Sequence, residues 1–153
     1  AGVNFKGYIT DAAVTVSIGR PSSVAANLIE AAEKALREGI KATKSGGRIG
    51  DIGYAIEKVA KKFKVVVIQG LTGHGVGFAL HEDPVIYNYG EKDTGIELVP
   101  GMVLAIEPMF SESSSLITQQ SDDSYATADG SLSVHFEHTI AVTKEGVEIL
   151  TKH

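Results

Sequence analysis

The sequence contains neither cysteine nor tryptophan in its 153 residues. Without cysteine, a disulfide-stabilised scaffold, a thiolate zinc site and a cysteine nucleophile are all excluded. The lack of thiols also fits a protein of the reducing cytoplasm, which is the location we expect.

Positive charge and long apolar runs are scarce as well. Lys and Arg number 14 against 19 Asp and Glu, a net charge of −5, so the chain lacks the basic excess that binding to nucleic acid or to an anionic membrane requires. The longest apolar runs, such as Val65–Ile68, fall far short of the roughly 20 residues that a membrane span needs. The hydrophobic fraction of 43% instead indicates a globular protein with its own core.

The spacing of apolar residues predicts two helices and several short strands. Helical spacing runs over about 23–44, with Ser22 or Ser23 as the N-cap, and again over about 51–63. The predicted strands are 3–9, 65–68, 102–108, 133–143 and 147–150, with a Gly-rich loop at 70–90 and a hairpin or mobile loop at 111–131. This order predicts an α+β fold with an antiparallel sheet and helices on one face.

Three carboxylates lie within predicted strands, where a charge is costly. Glu107 follows the uninterrupted apolar run Met102–Ile106, Asp11 lies in register with the apolar residues of strand 3–9, and Glu137 lies inside the strand 133–143. Any one of them alone is best explained as an edge residue paired with Lys or Arg. Three in one small domain favour a shared functional site.

Two histidines stand in an unusual glycine-broken segment. His74 lies between Gly73 and Gly75, and His81 follows seven residues later. Glycines allow a backbone or an ion to approach closely. An imidazole with three carboxylates suits Mn, Fe, Co or Zn in a hydrolytic site better than a structural zinc. The remaining histidines lack such spacing and are predicted to be surface or packing residues: His135, His138 and His153.

Three stretches together resemble one family. TGHGVGFALHEDP, GMVLAIEPM and ADGSLSVHFEHTIAVTKEGVEILT are similar to the type I methionine aminopeptidases, dinuclear metallohydrolases with the pita-bread fold. The resemblance runs essentially from Gly2 to Thr151. Met109 after Glu107-Pro108 favours the methionine enzymes, because the proline-cleaving branch of this fold usually has Gly there.

The resemblance implies a role for each candidate residue. Glu107 and His81 would be catalytic: the first handles protons as well as metal, and the second contacts the scissile region of the substrate. In the family, a metal-activated water attacks the peptide carbonyl, with Co, Mn, Fe or Zn as the metal and two ions in the complete site. The metal ligands implied are Asp11, His74, Glu107 and Glu137.

The chain also departs from the family pattern. The family has a further aspartate ligand eleven residues before Asp11, which here would be position 0. We therefore expect residues 1–153 to be a single, partial catalytic domain, the C-terminal part of the fold, with one nearly complete metal position and impaired activity. Leu80 stands where the family often has Phe, and Tyr125 is the substitute for the missing Trp of the substrate pocket.

The expected function is metal-dependent removal of the N-terminal methionine from nascent or short peptides. The expected partners are peptide N-termini, with no nucleic acid and no membrane, and a homo-oligomer through the exposed edge of the first strand. Two alternatives stay open: an aminopeptidase of the same fold with another N-terminal specificity, and a non-catalytic pita-bread binding module. Retention of all four candidate ligands argues against the second.

Overall fold

The computed structural model describes residues 1–152. Over this range the chain forms two helices, α1 (Ser23–Ala42) and α2 (Ile49–Phe63). The strands are β1 (Val3–Phe5), β2 (Tyr8–Thr10), β3 (Ala12–Ala13), β4 (Val66–Val67), β5 (Gly73–Gly75), β6 (Glu82–Ile86), β7 (Val103–Ile106), β8 (Met109–Ser111), β9 (Ile117–Gln119), β10 (Tyr125–Thr127), β11 (Ser133–His135), β12 (Glu137–Val142) and β13 (Val147–Ile149).

The helices follow their predicted spacing and pack closely on each other. Ser22 caps α1 by accepting a hydrogen bond from the backbone N–H of Ala25 at 3.1 Å. Where the helices cross, α1 has Gly39, and a methyl group there would lie 3.1 Å from Ile56 of α2. Helix α2 begins two residues earlier than predicted, because Asp51 accepts from the N–H of Arg48 and closes the first turn. No helix within residues 1–152 has the length and apolar character needed to cross a membrane.

The main sheet is antiparallel, with the order β13-β12-β7-β5-β6 and with β3 also paired to β12. Strand β12 pairs with β7 so that His138 is opposite Ile106, which by the same register puts Glu137 opposite Glu107. Strands β11 and β8 keep this register, with His135 opposite Met109. The two strand pairs are therefore one long ladder, interrupted at Pro108 and Phe136.

Successive side chains along this ladder point alternately to the two faces of the sheet. The even-numbered residues, such as Leu104, Ile106 and Ile140, join one apolar core with α1 and α2. The odd-numbered residues, which include Glu107 and Glu137, point to the opposite face. The predicted α+β architecture with helices on one face of an antiparallel sheet is confirmed, and the face without helices is left for the polar residues.

Two predicted strands differ from the observed ones. The segment 3–9 is a hairpin of β1 and β2 rather than one strand, because Lys6 and Gly7 both take positive φ and form a two-residue turn. As a result Val3 and Phe5 are exposed instead of half-buried. The segment 133–143 is broken at Phe136 into β11 and β12.

Two loop predictions are resolved by the structure. The segment 111–131 was predicted to be either a hairpin or a mobile loop. It contains the antiparallel hairpin of β9 and β10. The residues Glu82-Asp83-Pro84, which lie in the predicted Gly-rich loop 70–90, instead begin β6 and pair with β5. A proline is tolerated there because β6 is the edge strand of the sheet.

Candidate metal centre

Asp11 is held against the centre of the sheet by Thr139. The side-chain oxygen of Thr139 accepts a hydrogen bond from the backbone N–H of Asp11 at 2.8 Å and donates one to its carbonyl at 2.7 Å. The Asp11 carboxylate is half-buried and lies 3.1 Å from the N-terminal ammonium of Ala1. Since Thr139 and Glu137 point to the same face of β12, this pairing brings Asp11 to the face without helices.

We expect Thr139→Val to weaken both the fold and the site. Valine has the same shape but leaves the N–H of Asp11 without its partner, which costs about 1–3 kcal/mol in free energy of unfolding. Since Asp11 is then less well oriented, affinity for Mn²⁺ should fall about tenfold, the scale of a lost supporting contact. Urea unfolding and calorimetric titration measure the two effects. Thr139→Ser should restore both, and Thr143→Val, whose hydroxyl bonds only a turn carbonyl, should leave metal affinity unchanged.

Glu107 lies between two imidazoles, one at each carboxylate oxygen. Its Oε1 is 3.2 Å from Nε2 of His74, and its Oε2 is 3.2 Å from Nε2 of His135. The Glu107 carboxylate is largely buried, and its backbone carbonyl accepts a hydrogen bond from the buried side chain of Asn88 at 3.0 Å. The carboxylate thus has a fixed position from which both of its oxygens can bind.

Glu137 is the most deeply buried of the three carboxylates. Its side chain is 3% exposed, its Oε2 lies 3.9 Å from Nε2 of His135, and its Oε1 has no hydrogen-bond partner. Two groups of possible ligand atoms share this residue, one with Asp11 and His74 and the other with Glu107 and His135, and within each group the atoms lie within 4.8 Å of one another. A buried carboxylate oxygen that the protein leaves unpaired is suited to binding a cation.

The structure therefore brings all four predicted metal ligands to one sheet face, and it adds His135 beside them. His135 was predicted to be a surface or packing residue, and its side chain is 39% exposed, with Nε2 3.2 Å from Glu107 and 3.9 Å from Glu137. The missed signal is that His135 lies two residues before Glu137, a spacing that puts both side chains on one face of a strand. His138 faces away and contacts the hydroxyl of Thr151, whereas His153 lies outside the described residues.

His74 reaches the site because the backbones around it are very close. A methyl group on Gly73 would lie 2.5 Å from the carbonyl oxygen of Ala105, and one on Gly75 would lie 2.1 Å from that of Asp83. Any larger residue at either position would force β5 away from its neighbours. The close approach expected from these glycines is confirmed. The Nδ1 atom of His74 lies 2.9 Å from the carbonyl of Gly75, so Nε2 is the atom presented to Glu107.

His81 lies at the rim of the same site. Its ring meets that of His74 edge-on, with 4.5 Å between centroids. Both rings line an open cavity of about 520 Å³ together with Leu71. The turn before His81 is closed by the Glu82 carboxylate, which accepts from two backbone N–H groups at 2.6 and 2.7 Å. His81 is thus placed beside the metal-ligand candidates without contacting a carboxylate of the cluster.

The two predicted pocket residues lie apart from each other. Tyr125 lines a second cavity, of about 300 Å³, which also contains His135, Met109 and Leu71. Leu80 is 38% exposed and packs near Gly2 rather than in that cavity. Leu71 lines both cavities. The cavity that contains Tyr125 and the cavity that contains His81 are therefore neighbours.

The charges of the site perturb one another. Burial, followed by the nearby charges of Glu107 and Asp11, raises the pKa of Glu137 to about 7 from its ordinary 4.5. Burial also acts to raise the pKa of the Glu107 carboxyl, but the imidazoles of His135 and His74 outweigh it and the pKa is lowered. The contact with Glu107 raises the pKa of His74. Without a cation, ionising all of these neighbouring carboxylates at neutral pH is unfavourable in free energy.

The metal-free chain is therefore expected to lose stability as the pH rises from about 5 to about 8. Glu137 keeps its proton up to about pH 7 when folded but only to about 4.5 when unfolded. The folded state binds more protons in that window, so the free energy of unfolding falls as the pH rises through it. His74 acts in the same direction, since its stabilising charge is present below its ordinary pKa of 6.5 and is lost as the pH rises through the raised value.

Urea unfolding at several pH values in the presence of a chelator tests this expectation. The variant Glu137→Gln should flatten the pH dependence and be more stable than the parent chain at pH about 8, because the cost of the buried charge is gone. Glu148→Gln, which alters an exposed carboxylate of β13, should behave as the parent chain. A free energy of unfolding that stays constant over this range in the parent chain would contradict the assigned environment of Glu137.

Carboxylates and imidazoles on one sheet face, with no thiolate, are the donor set of hydrolytic metal centres, and they place the chain among proteins that hold hard divalent ions. Within that class the comparison with known families is specific. Residues 1–144 match the model of metallopeptidase family M24, and the chain belongs to this family. Family membership implies a divalent metal, and the donor atoms described above fit one.

Relatives of known name and structure agree with this assignment. The chain is 47% identical over 146 residues to methionine aminopeptidase A of Synechocystis, an alignment that covers 95% of this chain and 58% of that protein. The crystal structure of methionine aminopeptidase from Thermotoga maritima superposes with a TM-score of 0.96 at 42% identity, covering 99% of this chain and 61% of that one. Prolidase from Pyrococcus furiosus superposes with a TM-score of 0.76 at 25% identity, covering 99% of this chain and 40% of that one.

These matches confirm the pita-bread fold predicted from the sequence motifs. They also show that the chain spans about 60% of the length of the methionine aminopeptidases that it resembles. The described residues contain the sheet face with the carboxylates, both helices and the two adjoining cavities.

Proposed function

We propose that the chain carries the catalytic centre of a metal-dependent aminopeptidase that removes the N-terminal methionine from nascent or short peptides. The observation that carries the proposal is the convergence of Asp11, His74, Glu107 and Glu137 on one sheet face in a chain of the M24 family. The 47% identity to a protein named methionine aminopeptidase A supports the choice of methionine.

The metal would be held by Asp11, His74, Glu107 and Glu137. When bound there, a divalent ion such as Co, Mn, Fe or Zn lowers the pKa of a water molecule and polarises the peptide carbonyl. Glu107 has an imidazole beside each of its two oxygens, and from this position it would accept a proton from the attacking water and pass it to the leaving amine. His81 lies at the rim beside His74, and its proposed role is to donate a hydrogen bond to the substrate next to the scissile bond.

The cavity of about 300 Å³ fits the substrate side chain. Met109, Leu71 and Tyr125 give its wall an apolar part, and His135 joins it to the metal-ligand candidates. An unbranched, apolar methionine side chain matches that part of the lining, whereas a charged one would lose its hydration there. Leu80, one residue before His81 and 38% exposed, is available to contact the peptide from the other side.

Hydrolysis of a Met-Ala-Ser peptide by the chain with Mn²⁺ or Co²⁺ tests the proposal. We expect chelator-sensitive release of methionine, and no release from a peptide that begins with Glu in place of Met. The Thermotoga maritima relative serves as the reference for rate, since impaired turnover by this chain is expected. Metal binding without cleavage of any peptide would support the non-catalytic binding module instead.

A different N-terminal specificity is the second candidate, since prolidase shares the fold. The lower TM-score of 0.76 against 0.96, together with the lower identity, favours the methionine enzymes. A peptide with Pro in its second position, cleaved in preference to Met-Ala-Ser, would support that candidate over methionine removal.

We also propose that the chain acts on nascent peptides in the cytoplasm.

We further propose that copies of the chain associate through the β1–β2 hairpin. This hairpin is a sheet of only two strands and exposes Val3, Phe5 and Tyr8. Exposed apolar residues on an open strand edge favour self-association. Sedimentation of the chain and of Phe5→Lys tests this, with a dimer expected only for the parent chain.

A further inference from the structure

We propose that Asn88 is a positioning residue for the metal centre, because its side chain holds the backbone from which the Glu107 carboxylate projects. Nδ2 of Asn88 donates a hydrogen bond of 3.0 Å to the carbonyl oxygen of Glu107, a residue 19 positions further along the chain. The inference rests on the proposed function, since it adds a residue that acts on the same centre through Glu107.

This hydrogen bond lies where the sheet has a gap. The carbonyl of Val103 accepts from the N–H of Val76, so the odd-numbered carbonyls of β7 point toward β5. In the register that puts His74 opposite Ala105, residue 72 would be opposite Glu107. Strand β5 begins only at Gly73 and does not reach that position. The amide of Asn88 therefore takes the place of a ladder donor for the Glu107 carbonyl.

The orientation of the Glu107 side chain depends on the peptide that Asn88 holds. The carboxylate extends from the same residue to His74 and His135, with 3.2 Å between the nearest atoms on each side. Pro108 follows directly and has no N–H, so it cannot fix this peptide by donating a ladder bond of its own. The hydrogen bond from Asn88 limits rotation of the peptide and thereby keeps the carboxylate between the two imidazoles.

Asn88 is itself held in place by helix α2. It is 1% exposed, whereas Tyr87 and Tyr89 on either side are 51% and 42% exposed, so the side chains of this segment alternate between outside and inside. Helix α2 has Gly53 where the segment lies against it. A methyl group there would be 2.6 Å from the carbonyl oxygen of Tyr87 and 2.3 Å from that of Tyr89. This close approach keeps the side chain of Asn88 directed into the protein, toward Glu107.

The competing role for Asn88 is a structural one, in which its hydrogen bond stabilises the fold without any effect on the centre. The variant Asn88→Leu removes the donor at nearly constant volume. Its matched control is Thr43→Val, which removes another buried donor to a backbone carbonyl, that of Gly39 in α1 at 3.0 Å. Both variants should unfold at a lower urea concentration than the parent chain, because each loses one buried hydrogen bond. The control should differ from the parent in nothing else.

Asn88→Leu should also change the metal centre. With the Glu107 carboxylate freer to turn, the Kd for Mn²⁺ should rise about tenfold, as for other contacts that support a metal ligand. At saturating Mn²⁺, kcat for a Met-Ala-Ser peptide should fall about 10–100-fold with KM within about twofold, since Asn88 lines neither cavity of the site. Calorimetric titration and initial rates measure these effects.

A third measurement uses the chain without metal. In ¹⁵N NMR spectra recorded with a chelator, the imidazole signals of His74 and His135 should shift in Asn88→Leu, because the carboxylate beside both rings has moved. They should stay unchanged in Thr43→Val, which separates this shift from an effect of lower stability. If Asn88→Leu does not fold, Asn88→Ala takes its place with the same results expected.

The inference is overturned if the Asn88 variant matches Thr43→Val in Mn²⁺ affinity, kcat and imidazole signals, since the hydrogen bond is then structural only. A raised KM with unchanged kcat would also overturn it and would make Asn88 a substrate-binding residue. A parent chain that binds Mn²⁺ but cleaves no peptide removes the proposed function, whereas Mn²⁺ affinity and the imidazole signals still decide the role of Asn88. If the parent chain binds no Mn²⁺, the imidazole signals alone decide whether Asn88 orients the carboxylate.

Discussion

Glu107→Gln is expected to lower the affinity of the chain for Mn²⁺ by roughly 100-fold or more, about 2.7 kcal/mol. The substitution keeps the volume of the buried side chain but removes the charge that lies between His74 and His135. An amide oxygen is a weaker ligand than a carboxylate oxygen, and the amide nitrogen would face one of the imidazoles instead of attracting an ion. Calorimetric titration with Mn²⁺ measures the loss, and peptide release should disappear with it.

The matched control is Glu112→Gln, which changes an exposed carboxylate after β8. It should bind Mn²⁺ as the parent chain does. Circular dichroism should show both variants folded, because the amide that replaces the Glu107 carboxylate has nearly the same volume and keeps the same neighbours. Unchanged Mn²⁺ affinity in Glu107→Gln would remove Glu107 from the centre and leave its burial between two histidines unexplained.

His81→Ala is expected to lower kcat for a Met-Ala-Ser peptide by about 10²–10⁴-fold, the scale of a group that transfers or polarises a proton. Its ring packs edge-on against that of His74 but reaches no carboxylate of the cluster, so the metal content should stay unchanged. The measurement is a comparison of kcat and of bound Mn²⁺ in the same preparation, with parent and variant treated alike.

Phe78→Ala is the control for His81→Ala, because Phe78 lies in the same turn but is 80% exposed. It should change neither kcat nor metal content by more than a few fold. Should His81→Ala lose its metal, His81 would belong among the ligands. Should it lose neither metal nor activity, the proposed contact with the substrate would be wrong.

Local signals in the sequence were sufficient for the helices and for part of the site. A serine cap at Ser22 or Ser23 could be predicted because capping needs only the residue itself and the N–H groups of the next turn, and the structure shows Ser22 in that role. The glycines beside His74 predicted a close approach because no other residue tolerates one, and the neighbouring carbonyls do lie there. Glu107 was conspicuous because a charge after a fully apolar strand must have partners.

Signals that depend on pairing between distant segments were missed. The turn at Lys6 and Gly7 reverses the chain within a segment whose alternation resembles a single strand, so Val3 and Phe5 were predicted on the wrong side. His135 looked like an ordinary strand residue until its ladder placed it opposite Met109 and next to Glu107. Tyr125 shares a cavity with His135 only because the tertiary structure brings the β9–β10 hairpin beside β11.

The sequence by itself determined the kinds of donor atom available and the helices: no thiolates, three carboxylates in or directly beside strands, a glycine-framed histidine and two amphipathic helices. These properties are local, since they depend on residue chemistry and on periodicities of a few residues. Of the three carboxylates predicted within strands, only Glu137 lies in one, whereas Asp11 follows β2 and Glu107 follows β7. Only the tertiary structure decided which carboxylate oxygen meets which imidazole, and that His135 joins them. Such contacts depend on strand register, where a shift of one residue would turn Glu137 from the polar face to the apolar core.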